Sequence, residues 1–415
     1  MTPPKPPQTE EHAGPAGPSE RARVSHLLVA HPLAAVLPWR LGVFGRADAE
    51  AVGVRDARLS GQHFTLSGHG GVPHVADAGS RNGTFVDGRR LGPTERVPLQ
   101  DGTVVRAGTT LLVHRLASPG LSPEPPLGAL AGPFGLAATR RALEHAVLRR
   151  AENVLIVGES GTGKDLVAQH LGARLGRSVV AVNVSAIPAT LAESTLFGHE
   201  AGAYSDAKKQ GSRGLVGDAE GGVLFLDELG ELPLELQPKL LRLLENRAAQ
   251  SVGGRERRVE LVVVAATNRD LEAAVEAGRF RRDLVERFAH RVALPALHER
   301  PEDVPTLVRA TLAFGGLPLD PAATEVEALE HLMLRVFPGN LRTLRRALED
   351  AAAGTRDSRL TLEGVRRAGL AERATGALTA ARVAEALAAS GGNESAAADA
   401  LGVSRGMLLR AKKRG

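Results

Sequence analysis

Cysteine is absent, which excludes disulfide scaffolds, zinc ribbons, iron–sulfur clusters and thiol nucleophiles together. Its absence fits a reducing compartment. Aromatic residues make up only 3%, which argues against base stacking on single-stranded nucleic acid as the main activity. Neither sign of charge dominates: 52 Lys and Arg face 47 Asp and Glu, a formal net of +5. Where the basic residues fall therefore tells more than their total. No run is long and apolar enough to span a membrane. The longest near the start, residues 24–37, is broken by His26, His31 and Pro32. It follows Glu10, Glu11 and several prolines, where a signal peptide would carry basic residues. We read this run as strands and expect the chain to stay in the cytoplasm, with no membrane partner.

What is present fits a multidomain globular chain of 415 residues, 43% hydrophobic and 24% charged. Residues 1–22 are rich in Pro, Gly and Glu and lack the apolar surface to offset ordering, so they read as a disordered tail. Residues 23–117 alternate short apolar runs with turn signals such as Asp87-Gly88 and Asp101-Gly102, the pattern of a small all-β domain. The Pro-rich stretch 118–128 reads as a semi-stiff linker. Beyond it, runs at 154–157, 179–182, 223–226 and 261–264 are continuously apolar. Such runs fit parallel strands covered by helices on both faces, hence an α/β domain over 129–370 that turns helical from about Glu299. A short break at 371–376 precedes an Ala-rich helical segment, 377–415.

Directly after the 154–157 strand come Gly158, Glu159, Ser160, Gly161, Thr162, Gly163 and Lys164, opening a helical pattern. Strand, glycine-rich turn and helix together make a P-loop. Its amides and helix N-terminus suit phosphate, with Lys164 on the β- and γ-phosphates. The following residue is Asp165, where Ser or Thr usually binds Mg²⁺. The 223–226 strand ends in Asp227 and Glu228. By themselves they could form a solvated turn. Beside a P-loop, Asp227 would hold Mg²⁺ through water and Glu228 would polarise the attacking water. Asn268, after a third strand, would orient that water or sense the γ-phosphate; taken singly it reads as a helix cap.

At this point residues 132–370 resemble the AAA+ domain of bacterial enhancer-binding proteins, the activators of sigma-54 RNA polymerase. The resemblance rests on GESGTGKD, on GGVLFLDELGELPLELQPKLLRLLE and on AATNRDLEAAVEAGRFRRDLVERF. It implies ATP and Mg as cofactors and a homo-oligomeric ring, hexamer or heptamer. It assigns Asn183 to restrain Glu228, Arg281 and Arg287 to act on a neighbouring subunit's nucleotide, and Arg342, in Phe337-Pro-Gly-Asn-Leu-Arg342, to reach the γ-phosphate. The sigma-54 contact loop of such proteins, GAFTGA, here reads Gly202-Ala-Tyr204-Ser205-Asp206-Ala207. Asp206 adds a charge and restricts the backbone where the family has Gly. The output is therefore open between two readings: remodelling of sigma-54 polymerase, or a DNA-binding regulator whose AAA+ domain serves assembly and nucleotide sensing.

The β domain resembles a forkhead-associated (FHA) domain, through Gly45-Arg46, Ser60-Gly-Gln-His63 and Asp77-Ala-Gly-Ser80-Arg81-Asn82-Gly-Thr84. That resemblance implies phosphothreonine binding: Arg46, Ser60 and Ser80 on the phosphate, Arg81 in the same site, and Asn82 on the peptide backbone. The implied partner is a Ser/Thr kinase or its substrate. His63 reads as scaffold. The last segment resembles a Fis-type helix-turn-helix, with a second helix over about 394–401 and a recognition helix from Ser404. Arg405 would read bases of promoter-upstream DNA, while Arg410, Lys412 and Lys413 would meet phosphates. No acid follows Asp399.

Overall fold

The computed structural model describes residues 24–117, 121–202, 211–354, 357–373 and 380–401, with single positions at 403, 408 and 412. Tyr204, Ser205, Asp206, Ser404, Arg405, Arg410 and Lys413 lie outside the described residues, as do 1–23.

The N-terminal domain is a two-sheet β sandwich. Its strands are β1 (Val24–His31), β2 (Ala35–Leu37), β3 (Gly42–Phe44), β4 (Phe64–His69), β5 (Val72–Asp77), β6 (Thr84–Val86), β7 (Arg89–Arg90), β8 (Arg96–Pro98), β9 (Val104–Ala107) and β10 (Thr110–Ala117), with one short helix, α1 (Arg46–Ala51). One sheet runs β2-β1-β10-β9-β6-β7, the other β3-β4-β5-β8. The turn signals fall between paired strands: Asp87 and Gly88, both at positive φ, join β6 to β7. Between the sheets lies an apolar core that includes Leu27, Val29, Phe44, Phe64, Leu66, Val105 and Leu112.

The second domain follows α2 (Ala137–Leu148), β11 (Asn153–Val157), α3 (Lys164–Leu175), β12 (Val179–Asn183), α4 (Ala189–Phe197), α5 (Gly214–Asp218), β13 (Val223–Asp227), α6 (Gln237–Asn246), a hairpin of β14 (Ala248–Gln250) and β15 (Glu256–Arg258), β16 (Val262–Thr267), α7 (Leu271–Glu276), α8 (Arg282–Glu286) and β17 (His290–Ala293). Its parallel sheet has the order β12-β13-β16-β11-β17. Two separate apolar clusters flank the sheet, one including Leu224, Leu226, Val263 and Phe288, the other Val154, Ile156, Phe225 and Val264. Coverage of both faces explains why β11, β13 and β16 lack alternation, whereas the edge strand β12, also read from sequence as buried, is only part-buried. The fifth strand, β17, is not marked by an apolar run. Residues 121–128 lie against this domain: Leu127 is buried in its core and Glu124 pairs with Arg140 of α2.

A helical lid follows: α9 (Val304–Phe314), α10 (Val326–Met333), α11 (Asn340–Ala353) and α12 (Leu362–Arg366). Its core does not stop at the lid. Ala30, Val104, Leu111 and Val113 of the β sandwich belong to the same buried cluster as Val304, Val308, Leu329 and Met333. The β1-β10-β9 sheet is thus covered on both faces, by its partner sheet and by the lid. Withdrawing a Val or Leu side chain from water stabilises by about 1.5–3 kcal/mol, so this contact is substantial. Among the described residues, two further helical elements are α13 (Ala380–Ala389) and α14 (Glu394–Ala400), joined by a small core of Val383, Ala386, Ala397, Ala398, Val403 and Leu408.

Candidate functional site

The loop between β11 and α3 lies at the carboxyl end of the sheet, the usual place for ligands in open α/β folds. The amides of Gly161, Thr162 and Gly163 donate to no backbone carbonyl of the described chain. Gly161 and Gly163 sit at φ 73 and 98, which L side chains rarely adopt. A Cβ on Gly161 would also collide with the carbonyl of Gly339. The Thr162 hydroxyl donates to Glu159 O (2.8 Å) and closes the turn. The Lys164 side chain is buried, and its amine donates to Gly158 O and Glu159 O at 3.1 Å each. Burial lowers its pKa, partly opposed by Glu228 and Asp227. Asp165 stands exposed in the first turn of α3.

Facing this loop, Asp227 ends β13, beside Asn183 at the end of β12. Glu228 follows with φ 55 and ψ 47, a left-handed conformation, and its amide donates to Asp227 Oδ1 (3.0 Å). Asn183 Oδ1 accepts from the amide and hydroxyl of Ser185 (2.9 and 2.7 Å) and makes no hydrogen bond to Glu228 among the described residues. Asn268 is exposed just past β16. The cap of α7 is instead Asp270, whose carboxylate accepts from Glu272 N (3.1 Å) and Ala273 N (3.2 Å).

The lid closes onto the loop. Arg342 Nη1 donates to Ser160 Oγ (3.2 Å), and Leu341 N to Gly161 O (2.9 Å). Asn340, fully buried, donates to Ser160 O (3.0 Å) and Glu159 Oε2 (3.3 Å), and its Oδ1 accepts from Leu297 N (2.7 Å). Sequence reasoning singled out Arg342 and passed over Asn340, although it stands in the same Pro-Gly-Asn motif. Arg281 and Arg287 are elsewhere: Arg281 pairs with Asp283 (2.7 Å) and Arg287 with Glu245 (2.5 Å).

On the β sandwich, Arg46, Ser60, Ser80, Arg81 and Asn82 share one loop cluster. Gly45 packs against Gly61, and a Cβ there would strike the Gly61 carbonyl. Arg46 donates to Leu59 O (3.1 Å), Arg81 N to Ser60 Oγ (3.1 Å) and Asn82 Nδ2 to Arg58 O (2.6 Å). His63 is buried, accepts from Ser60 N (3.0 Å) and hydrogen-bonds Gly83 O (3.2 Å), so it is scaffold. Burial lowers its pKa and favours the neutral ring. Asp77 was not singled out from sequence. Burial alone would raise its pKa, but hydrogen bonds from Ser80, Thr84 and Gly79 outweigh this and hold it below the usual carboxylate value. The Ser80 hydroxyl is spent on Asp77 (2.6 Å), whereas Ser60 Oγ accepts and keeps its own proton to donate. Ser60→Ala is therefore expected to weaken phosphothreonine-peptide binding by about tenfold, the scale of a charge-assisted hydrogen bond, and more than Ser80→Ala does. Calorimetric titration checks this, and the reverse order would make Ser80 the phosphate donor.

In the C-terminal helices, Asn393 Oδ1 accepts from Ala396 N (3.1 Å) and caps α14. Lys412 pairs with Glu394 (3.3 Å), an exposed and therefore weak contact.

Cradle, acidic strand end and lid residues define a P-loop domain of the AAA+ kind behind a β sandwich. Comparison with known families narrows this. The matches are segmental: residues 136–292 are similar to the sigma-54 interaction domain and residues 42–108 to the FHA domain. It is 44% identical over 223 residues to the DNA-binding transcriptional activator HyfR of Escherichia coli, covering 52% of this chain and 33% of HyfR. It is also 44% identical over 208 residues to the DNA-binding transcriptional regulator NtrC of Bradyrhizobium, 48% of this chain and 43% of that one. The chain thus spans a third to somewhat under half of the length of these curated relatives. Among solved structures, NtrX from Brucella abortus aligns with a TM-score of 0.50 at 27% identity, covering 69% of each chain. No described helix is long and apolar enough to cross a membrane.

Proposed function

We propose that the chain is an ATP-hydrolysing, DNA-binding transcription regulator that acts on sigma-54 RNA polymerase and takes its input from a phosphothreonine protein. The observation that carries this is the convergence of free loop amides, Lys164, Asp227, Glu228 and Arg342 around a segment similar to the sigma-54 interaction domain. The donor set fits a nucleoside triphosphate with Mg²⁺: a cation, unclaimed amides, and a carboxylate at the strand end. Asp227 would hold Mg²⁺ through water, and the ion would neutralise charge on the phosphates. Lys164 would exchange its two loop carbonyls for phosphate oxygens. Glu228 would accept a proton from the attacking water, oriented by Asn268. Arg342 would stabilise the γ-phosphoryl from the lid, and Arg281 and Arg287 would do so from the next subunit of a hexameric or heptameric ring. Arg46 and Ser60 would take the phosphate of a kinase or kinase substrate. The segment 377–415, with Arg405 and its basic neighbours, would bind promoter-upstream DNA.

One observation favours a second reading. Asp206 in the loop sequence GAYSDA places a charge that a partner surface would have to desolvate, which suits assembly and nucleotide sensing without polymerase remodelling. Transcription in vitro from a sigma-54 promoter, with the purified full chain and ATP, separates the two. Open-complex formation supports remodelling. ATP turnover without open complexes supports the second reading.

A further inference from the structure

We infer that the outer face of the FHA sheet is a docking surface for the lid of its own chain, so that the FHA domain is a fixed second layer of that lid and its ligand acts without the domain being released. An FHA sandwich that swung free would expose Ala30, Val104, Leu111 and Val113, which are all at most 1% exposed here. It would also break an ion pair formed largely out of water, that of Arg106 with Glu330. Arg106 reaches Glu330 (2.7 Å) and Glu327 (3.3 Å) of α10, and the Arg106 and Glu330 side chains are 11% and 5% exposed. Removing one partner from such a pair leaves an uncompensated buried charge. A tethered reader domain that cycles on and off needs a smaller, more polar contact than this.

The contact also touches the hinge between the α/β body and the lid. Arg115 of β10 pairs with Glu302 (3.0 Å) and donates to the Glu299 carbonyl. These residues precede α9. Next to them Asp303, fully buried, accepts from Phe134 N (3.0 Å) and Gly135 N (3.1 Å) at the edge of the α/β body. On the lid's other side, Asn340 and Arg342 of α11 hold the P-loop. The phosphate-binding loops join the same assembly. Asp56, just before Arg58 and Ser60, accepts from Thr109 N (2.7 Å) and Thr110 Oγ1 (2.9 Å), in the hairpin whose strands carry Arg106 and Arg115. Peptide loops, hairpin, hinge and P-loop thus form one packed series. By linkage, a ligand that shifts the joint body at one end changes affinity at the other.

The chain has no cysteine, so spin labels can be placed singly. Leu41→Cys on the sandwich and Phe314→Cys at the end of α9 are both surface positions, 58% and 90% exposed, away from the contact. In the full chain, diluted into an excess of unlabelled subunits so that each ring holds at most one labelled chain, pulsed electron resonance is expected to give one narrow distance distribution for this pair, unchanged between the free protein and its ADP–aluminium fluoride state. A broad or split distribution in either state would overturn the docking. The coupling is tested by Arg115→Gln, which is expected to weaken binding of a fluorescent ATP analogue about tenfold, although Arg115 does not touch the P-loop. Unchanged affinity in a folded variant would overturn the coupling. Should that variant not fold, the spin-label pair, which leaves the contact intact, decides. This second arm rests on the nucleotide reading. Unaltered protein that binds no nucleotide would defeat that reading while the distance result for the free protein still stands.

Discussion

Glu228→Gln is expected to bind ATP as tightly as the unaltered protein and to turn it over about 10²–10⁴-fold more slowly, the usual loss when a general base is removed. The geometry separates binding from chemistry. Glu228 follows the last residue of β13, with its backbone held at φ 55. A non-Gly residue pays roughly 1–3 kcal/mol for such a conformation, a cost offset only if the carboxylate's position matters. Gln keeps the shape and removes the base. Lys164→Ala should fail one step earlier. Without the amine, the carbonyls of Gly158 and Glu159 that it now engages would face phosphate oxygens with no cation between them. Binding itself should then disappear. Titration with a fluorescent ATP analogue and a phosphate-release assay check both variants, and normal turnover by both would end the ATPase reading.

The cradle proposed to hold nucleotide takes its shape from features that are local in sequence. A strand of continuous apolar residues, three glycines and a lysine specify the cradle, and an apolar run ending in two acids specifies the opposite wall. Other features were not legible, for identifiable reasons. Strand β17 reads His290-Arg-Val-Ala293, and its alternating burial at the sheet edge leaves no apolar run to notice. The engagement of Asn183 by Ser185 is a two-residue turn that competes with any longer reach of the amide. A motif match cannot reveal that competition. Asn268 was the residue read as a possible helix cap, whereas the folded backbone gives that cap to Asp270, two residues on.

The docking of the sandwich on the lid left a trace that went unused. Strands β9 and β10 are buried at nearly every position rather than at alternate ones. A sheet with one wet face would alternate. Val104-Val105 and Leu111-Leu112-Val113 therefore already announce a second covered face, but not what covers it. Long-range partners such as Glu330 and Glu302 are more than 180 residues away from their arginines, and pairing over that separation carries no local signal. The same holds for Asp77, whose role in positioning Ser80 follows from hydrogen bonds that only the folded loops bring together.

Arg287→Ala is expected to leave a subunit's own ATP affinity unchanged and to cost about 10³-fold in turnover, the lower end for a catalytic arginine supplied in trans. Its own nucleotide is out of reach. The Arg287 carbonyl accepts from Asn153 Nδ2 (3.4 Å) at the start of β11, while the P-loop begins at the other end of that strand. Five residues of extended chain, at about 3.3 Å each, put roughly 16 Å between them, more than twice what an arginine side chain spans. Its guanidinium instead pairs with Glu245 on its own surface, with the Arg287 side chain 53% exposed. An exposed pair of this kind is easily exchanged for a more strongly charged partner. Mixing makes the test specific. Arg287→Ala subunits keep a complete pocket but lack the arginine, and Lys164→Ala subunits lack the pocket but keep the arginine. Each alone should be nearly inactive. Mixed rings should regain turnover wherever a Lys164→Ala subunit presents its Arg287 to an Arg287→Ala pocket. Mixtures no more active than either variant alone would mean that Arg287 acts within its own subunit or only in folding. An Arg287→Ala chain with full activity would remove the residue from catalysis.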